Sequence, residues 1–121
     1  MPKIALVTAQ EARSLDEDLP PLIDAFGSDA VAVCWDDSGV DWSTFDLVLL
    51  RSAWDYVPRL AEFLAWCERV SAQTLLLNPP CLVRWNTDKH YLADLAAQGL
   101  ATVPSHFLEP GTHGATDLQG I

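Results

Sequence analysis

Four short apolar runs, separated by polar or helical segments, constrain the fold of this chain more than any other feature. The runs are Lys3–Thr8, Ala30–Trp35, Leu47–Leu50 and Thr74–Leu77. Each is apolar along most of its length, which is typical of parallel strands that are buried on both faces. The sequence therefore predicts an α/β domain with a small Rossmann-like parallel sheet, helices on both faces and right-handed crossovers.

Two helices are predicted between these strands. The first, Asp16–Phe26, tolerates Pro20 and Pro21 only in its first turn. The second follows Pro58 and places apolar residues at intervals of three and four, which gives it one apolar face. Its apolar residues are Leu60, Phe63, Leu64, Cys67 and Val70.

A third helix is predicted to begin at Asn86 or Thr87, which can cap its first turn, and to end before Gly99. Lys89 would then lie in the first turn, where the helix dipole makes a cation mildly unfavourable. Two interpretations remain open for this residue. Lys89 is either a solvated surface lysine beside Asp88 or, with the free N–H groups of the turn, a ligand for a phosphate.

The loops that follow the strands are the candidate binding region, since open α/β sheets bind ligands beyond the carboxyl ends of their strands. The loop after the third strand is the richest of them. Arg51 has a planar fork suited to carboxylate or phosphate, Trp54 offers a stacking face, and Asp55 can orient an amine. The alternative is a structural ion pair between Arg51 and Asp55, with Trp54 filling space.

The region around Lys89 resembles the start of the ATP-grasp domain in ATP-dependent carboxylate–amine ligases. There, Asn-Pro follows a strand, and Asp-Lys then opens a helix that ends before Gly-(Leu/Ile)-x-Val-Pro. From Val33 to about Leu108, the chain is most similar to the branch that includes the cycloserine-pathway O-ureidoserine cyclo-ligase and other glutathione-synthetase-like proteins. The residues that match the pattern are Asn78-Pro79, Asp88-Lys89, Leu95, Gly99-Leu100 and Val103-Pro104.

This resemblance implies that residues 1–80 are a pre-ATP-grasp domain. Residues 81–121 would then be a linker plus the first helix and strand of an incomplete ATP-grasp domain. Lys89 would contact an ATP phosphate, and Arg51, Trp54 and Asp55 would hold a small-molecule substrate. The full-length ligase would use ATP and Mg²⁺ to form an amide-type bond, with Mg²⁺ held by a later acid/Asn cluster. The chain alone is expected to bind neither cofactor tightly and to be inactive.

Two partners are expected on the same grounds: the missing carboxy-terminal ATP-grasp domain, and a second copy of the chain in a homodimer. A net charge of −10 and a pI near 4.3 argue against nucleic acid or an anionic membrane as a partner. No apolar run approaches the roughly 20 residues of a membrane span, and no signal peptide is recognisable, so a cytoplasmic location is expected.

The cysteines and histidines do not have the spacing of a metal site. No CxxC pair is present, and no histidine stands four residues from a cysteine or another histidine, so zinc is not expected. These cysteines and histidines are Cys34, Cys67, Cys81, His90, His106 and His113.

The tail, Glu109–Ile121, is rich in Gly and Thr and is predicted to be a linker or a frayed end.

The alternative function is a stand-alone small α/β binding or oligomerisation module without catalysis, because fold alone does not fix function. Five tryptophans are many for this length, and tryptophan is favoured at interfaces. A receiver-like module is disfavoured, because Thr8-Ala9-Gln10 and Arg51-Ser52 stand where a receiver has acids.

Overall fold

A four-stranded parallel sheet forms the centre of the first part of the chain. The computed structural model describes residues 1–111, which divide into a compact unit Met1–Arg84 and a second unit that begins at Trp85. The strand order β2-β1-β3-β4 and the all-parallel pairing confirm the predicted α/β class. The strands are β1 Ile4–Thr8, β2 Ala30–Cys34, β3 Leu47–Ser52 and β4 Leu75–Leu77.

The two faces of the sheet are covered by different helices. Because successive side chains of a strand point to opposite faces, Ile4 and Leu6 pack with the first helix, and Ala5 and Val7 belong to the core on the other side. All of β1 is buried, as the continuous apolar run predicts. The helices are α1, Leu19–Phe26, and α2, Leu60–Ser71.

An aromatic cluster fills the core between the sheet and α2. Trp66 is only 2% exposed, because the buried face of α2 includes it together with Phe63, Cys67 and Val70. Cys67 is fully buried, and burial raises the pKa of its thiol to about 11. Cys34 is only half-buried.

The second unit differs from the sequence prediction at the start of its helix. Asn86 and Thr87 do not open the helix; they end an earlier one. The Asp88 carboxylate accepts the backbone N–H of His90 at 3.0 Å, and this local turn interrupts the helical path until Tyr91. Two helices therefore replace the predicted one: α3, Pro80–Thr87, and α4, Tyr91–Ala97.

The carboxyl end of α4 agrees with the prediction at Gly99. This residue has φ +82°, and its N–H bonds to the carbonyl of Ala96, while the N–H of Leu100 bonds to that of Leu95. These two bonds form a Schellman motif, in which glycine tolerates the left-handed conformation.

The strand predicted after Gly99 is not formed in the described part of the chain, where residues 100–109 have no regular structure. A strand is stabilised by hydrogen bonds to a neighbouring strand, and none of the described residues supplies one there. Most of the predicted linker, Glu109–Ile121, lies outside the described residues.

Candidate active-site region

The loops beyond β1, β2 and β3 meet at the carboxyl edge of the sheet. The strand order places β1 between β2 and β3, so the connections from β1 and from β2 run in opposite directions at this edge. Such a reversal of strand order is where open α/β sheets form a binding crevice. The edge therefore has the position expected for a ligand site, and its side chains decide what it can bind.

A β-bulge sets the position of Arg51 at this edge. The register of β3 on β1 passes from Val7–Leu50 to Thr8–Ser52, so Arg51 is left without a partner on β1. A bulge bends its strand and re-aims the extra side chain, and bulges are frequent beside active sites.

The ion pair between Arg51 and Asp55, given above as the alternative to substrate binding, is not formed, because Arg51 is directed toward the segment before α1. Its Nε and Nη2 donate to the two carboxylate oxygens of Asp16 at 3.1 and 3.0 Å. Nη2 also lies 3.2 Å from Asp18. The Arg51 side chain is 34% exposed, whereas that of Asp16 is 3% exposed. Arg51 thus neutralises an almost fully buried carboxylate.

The protonation of Asp16 depends on this contact. Burial alone would raise the pKa of its carboxyl, but hydrogen bonds from Arg51 and Ser52 and the charge of Arg51 outweigh burial, so the pKa lies below its usual value. The same pair raises the pKa of Arg51. Asp16 is therefore ionised at neutral pH and holds the guanidinium in a fixed orientation.

Asp55 belongs to a different cluster, which surrounds the buried indole of Trp35. The Trp35 Nε1–H donates to Asp55 Oδ1 at 2.8 Å. Arg59 lies over the Trp35 ring, with its guanidinium carbon 4.5 Å from the centroid, and Nη1 is 3.5 Å from Asp55 Oδ2. Asp55 is thus a half-buried hydrogen-bond acceptor that links the loops after β2 and β3.

Sequence reasoning did not identify Arg59 as part of the site. Arg59 contacts Asp36 at 2.8 Å and Glu62 at 2.7 Å, in addition to Asp55, and the bonds from Glu62 and then Asp36 raise its pKa. One signal could have revealed it: a cation directly before the first turn of α2 is unfavourable unless acids surround it.

Trp54 is half-exposed, at 51%, and is available for stacking. The structure gives the three predicted substrate residues different surroundings, because Arg51 pairs with Asp16, Asp55 accepts from Trp35, and Trp54 faces solvent. Arg51 lies near the end of β3 and the other two follow it, but the three do not form one hydrogen-bonded group.

Lys89 belongs to the second unit, in the turn between α3 and α4 rather than in the first turn of a helix. It is exposed, and its Nζ makes no hydrogen bond within residues 1–111. The nearest aromatic group is the ring of Tyr91, whose centroid lies 5.6 Å from Nζ. The ammonium is thus available to bind an anion.

Two general features of the chain bear on its ligands. Within residues 1–111, no three His, Cys, Asp or Glu side chains are grouped so that they could hold a metal ion. The same residues contain no helix with the length and apolarity that a membrane crossing requires.

Comparison with known proteins relates the chain to one enzyme. Residues 4–78 match the family model for the N-terminal domain of D-cycloserine synthetase DcsG. The chain is 48% identical over 112 residues to the cycloserine biosynthesis protein DcsG of Streptomyces lavendulae, a match that covers 90% of this chain and 38% of that protein.

The similarity extends to three-dimensional structure. The crystal structure of D-cycloserine synthetase DcsG superposes with a TM-score of 0.78 at 49% identity, over 84% of this chain and 35% of the other. The chain thus spans well under half the length of the relatives that it matches. The matched region contains the sheet and the candidate edge, and the chain belongs to the family of the N-terminal domain of D-cycloserine synthetase DcsG.

Proposed function

We propose that this chain is the amino-terminal, substrate-side part of an ATP-dependent ligase of the ATP-grasp type and is inactive alone. The observation that carries the proposal is the 48% identity to a cycloserine biosynthesis protein of which the chain spans only 38%. In such a ligase, ATP phosphorylates a carboxylate or a similar group of the substrate. An amine or an internal nucleophile then displaces the phosphate, and an amide-type bond forms.

Lys89 is the residue of this chain that we assign to ATP. A cation near the transferred phosphate stabilises negative charge that accumulates during transfer. The exposed ammonium, without a hydrogen-bond partner in the described residues, fits a phosphate contact of this kind. Mg²⁺, when bound, would neutralise the phosphates further. Residues 1–111 contain no group of side chains that could hold a metal ion. We therefore assign the ligands of Mg²⁺ to the remainder of the ligase.

The substrate is assigned to the carboxyl edge of the sheet. There, three carboxylates surround the single positive charge of Arg59, so the cluster has an excess of negative charge. The carboxylates are those of Asp36, Asp55 and Glu62. This excess favours a substrate that carries an amine. Arg51 and Trp54 supply the remaining contacts: Nη1 of Arg51 is not used by the described residues, and the indole of Trp54 is exposed.

Replacing Lys89 with alanine in the full-length ligase is expected to raise the KM for ATP at least about tenfold, which corresponds to about 1.4 kcal/mol of lost binding. The substrate KM should change little, because Lys89 is assigned only to phosphate. The measurement is ADP release as a function of ATP concentration with saturating O-ureidoserine as substrate.

The matched control is Lys3→Ala, since Lys3 belongs to the first unit and its ammonium lies over the Phe45 ring. That variant should keep the ATP kinetics of the parent. Lys89→Arg, which retains the charge, should fall between the parent and Lys89→Ala. Unchanged ATP kinetics in Lys89→Ala would remove the phosphate assignment.

A further inference from the structure

The imidazole of His90 lies between two carboxylates of the second unit. Its Nδ1 is 2.5 Å from Asp88 Oδ1, and its Nε2 is 2.6 Å from Glu109 Oε1. The ring also stacks on Phe107, with centroids 4.4 Å apart and planes inclined by 20°. Contacts on both edges and on one face thus fix this side chain, although it is about half exposed.

Only one protonation state satisfies both edges of the ring at neutral pH. A neutral imidazole has one N–H donor and one acceptor nitrogen, whereas ionised carboxylates only accept. In either neutral tautomer, one nitrogen lone pair would face a carboxylate oxygen at about hydrogen-bond distance, which is repulsive. The imidazolium instead donates to both Asp88 and Glu109, and charge-assisted bonds of this kind are the stronger ones.

We infer that His90 is a pH-sensitive tie. In its protonated form it joins Asp88, in the turn before α4, to Glu109 in the segment 105–109, and loss of the proton weakens this connection. Because Lys89 lies in the same turn, the tie also fixes the backbone from which Lys89 extends. The tie itself depends only on the geometry, whereas its effect on ATP rests on the proposed function of Lys89.

The neighbouring charges do not compete for His90. Asp94, on α4, accepts the indole N–H of Trp85 at 2.7 Å, and the Lys89 ammonium lies over the Tyr91 ring. His106, the other titratable side chain in the segment 105–109, is exposed. The groups that face the imidazole edges are therefore the two carboxylates.

The direction of the pH effect follows from these contacts. The bond from Asp88, and then that from Glu109, raises the pKa of His90. A group with a raised pKa in the folded state contributes stability that is full below its unfolded pKa, about 6.5 for histidine. This contribution is lost as pH rises through the folded pKa. The backbone N–H and then the ring of His90 lower the pKa of Asp88, so Asp88 stays ionised over this range.

NMR titration of the 121-residue chain tests the tie. The His90 ring protons should titrate with a midpoint above that of an ordinary histidine, and the midpoint should fall in Glu109→Gln. The Phe107 ring resonances should shift with the same midpoint, because the stacked rings separate when the tie opens. Glu17→Gln, which changes an exposed acid of the first unit, is the control and should leave the His90 midpoint unchanged.

A His90 midpoint at or below the ordinary value, or one unaffected by Glu109→Gln, would overturn the inference. In the full-length ligase, the KM for ATP should rise with pH through the His90 midpoint, and Glu109→Gln should move that rise to lower pH. If the NMR result holds but the KM for ATP does not follow it, the tie stands and the assignment of Lys89 to ATP fails.

Discussion

Trp35→Ala is expected to destabilise the first unit by about 4 kcal/mol, the cost of removing a large buried aromatic side chain. Trp35 is 2% exposed and packs edge-on against Phe63 and Trp66 at centroid distances of 5.3 and 6.1 Å. Its loss also leaves Asp55 without the indole N–H and Arg59 without the ring beneath it. A domain of this size is stable by only about 5–15 kcal/mol, so the loss is large.

The measurement for Trp35→Ala is urea denaturation followed by circular dichroism, since the variant loses one of the fluorescent residues. Trp54→Ala is the matched control, because Trp54 is the same residue type in the loop after β3 but is 51% exposed. An exposed substitution of this kind should change stability by about 0.5 kcal/mol or less. Equal destabilisation by the two variants would show that the contacts of Trp35 do not stabilise the loops at the carboxyl edge of the sheet.

Arg51→Ala is expected to destabilise the chain by about 2 kcal/mol, because it leaves the carboxylate of Asp16 buried without a countercharge. The cost is below that for breaking a fully buried pair, because Arg51 is 34% exposed and water is available to solvate part of the site. The measurement is urea denaturation at neutral pH. A second substitution, Asp16→Asn in the Arg51→Ala background, should recover much of the loss because it removes the unpaired charge.

The pH dependence distinguishes this structural role of Arg51 from a role in substrate binding alone. In the parent, the Asp16 pKa is lowered, so its stabilising contribution is present above the unfolded pKa of about 3.9 and is lost as pH falls through the folded pKa. Without Arg51, burial dominates and raises the Asp16 pKa. The stability difference between parent and variant should therefore narrow on acidification. A difference that is independent of pH would contradict the buried-pair account.

The strands could be predicted because their cause is local. An apolar run such as Lys3–Thr8 is stable as a strand when both of its faces are buried. A parallel sheet with helices on both sides provides that burial. The amphipathic spacing in α2 and the left-handed Gly99 are equally local signals, and both were found where predicted. Each of these features depends on residues within a few positions of one another.

The partners of the site residues could not be predicted because they depend on long-range contacts. A bulge in β3 sends Arg51 to Asp16, which is 35 residues away in sequence, and periodicity contains no information on that bulge. The fold likewise joins Asp55 and Arg59 to Trp35, which lies 20 residues before Asp55 in the sequence. Sequence spacing suggested a neighbouring pair, Arg51 with Asp55, which the fold does not make.

The helix boundary near Lys89 could not be predicted for a different reason. Asn86 and Thr87 are good capping residues, but such residues also occur within the last turn of a helix, as they do in α3. Pro80 occupies the first position of α3, where its missing N–H costs nothing. The local bond from Asp88 to the His90 N–H then decides where α4 begins.

The most direct test of the proposed ligase assignment is ADP release by two proteins measured side by side: the 121-residue chain and the full-length product of its gene. The assay contains ATP, Mg²⁺ and O-ureidoserine. The account predicts substrate-dependent ADP release by the full-length protein and none by the chain alone. Substrate-dependent release by the chain itself would contradict the account. A full-length product that ends at Ile121 and releases no ADP would also contradict it, and would favour a stand-alone binding or oligomerisation module.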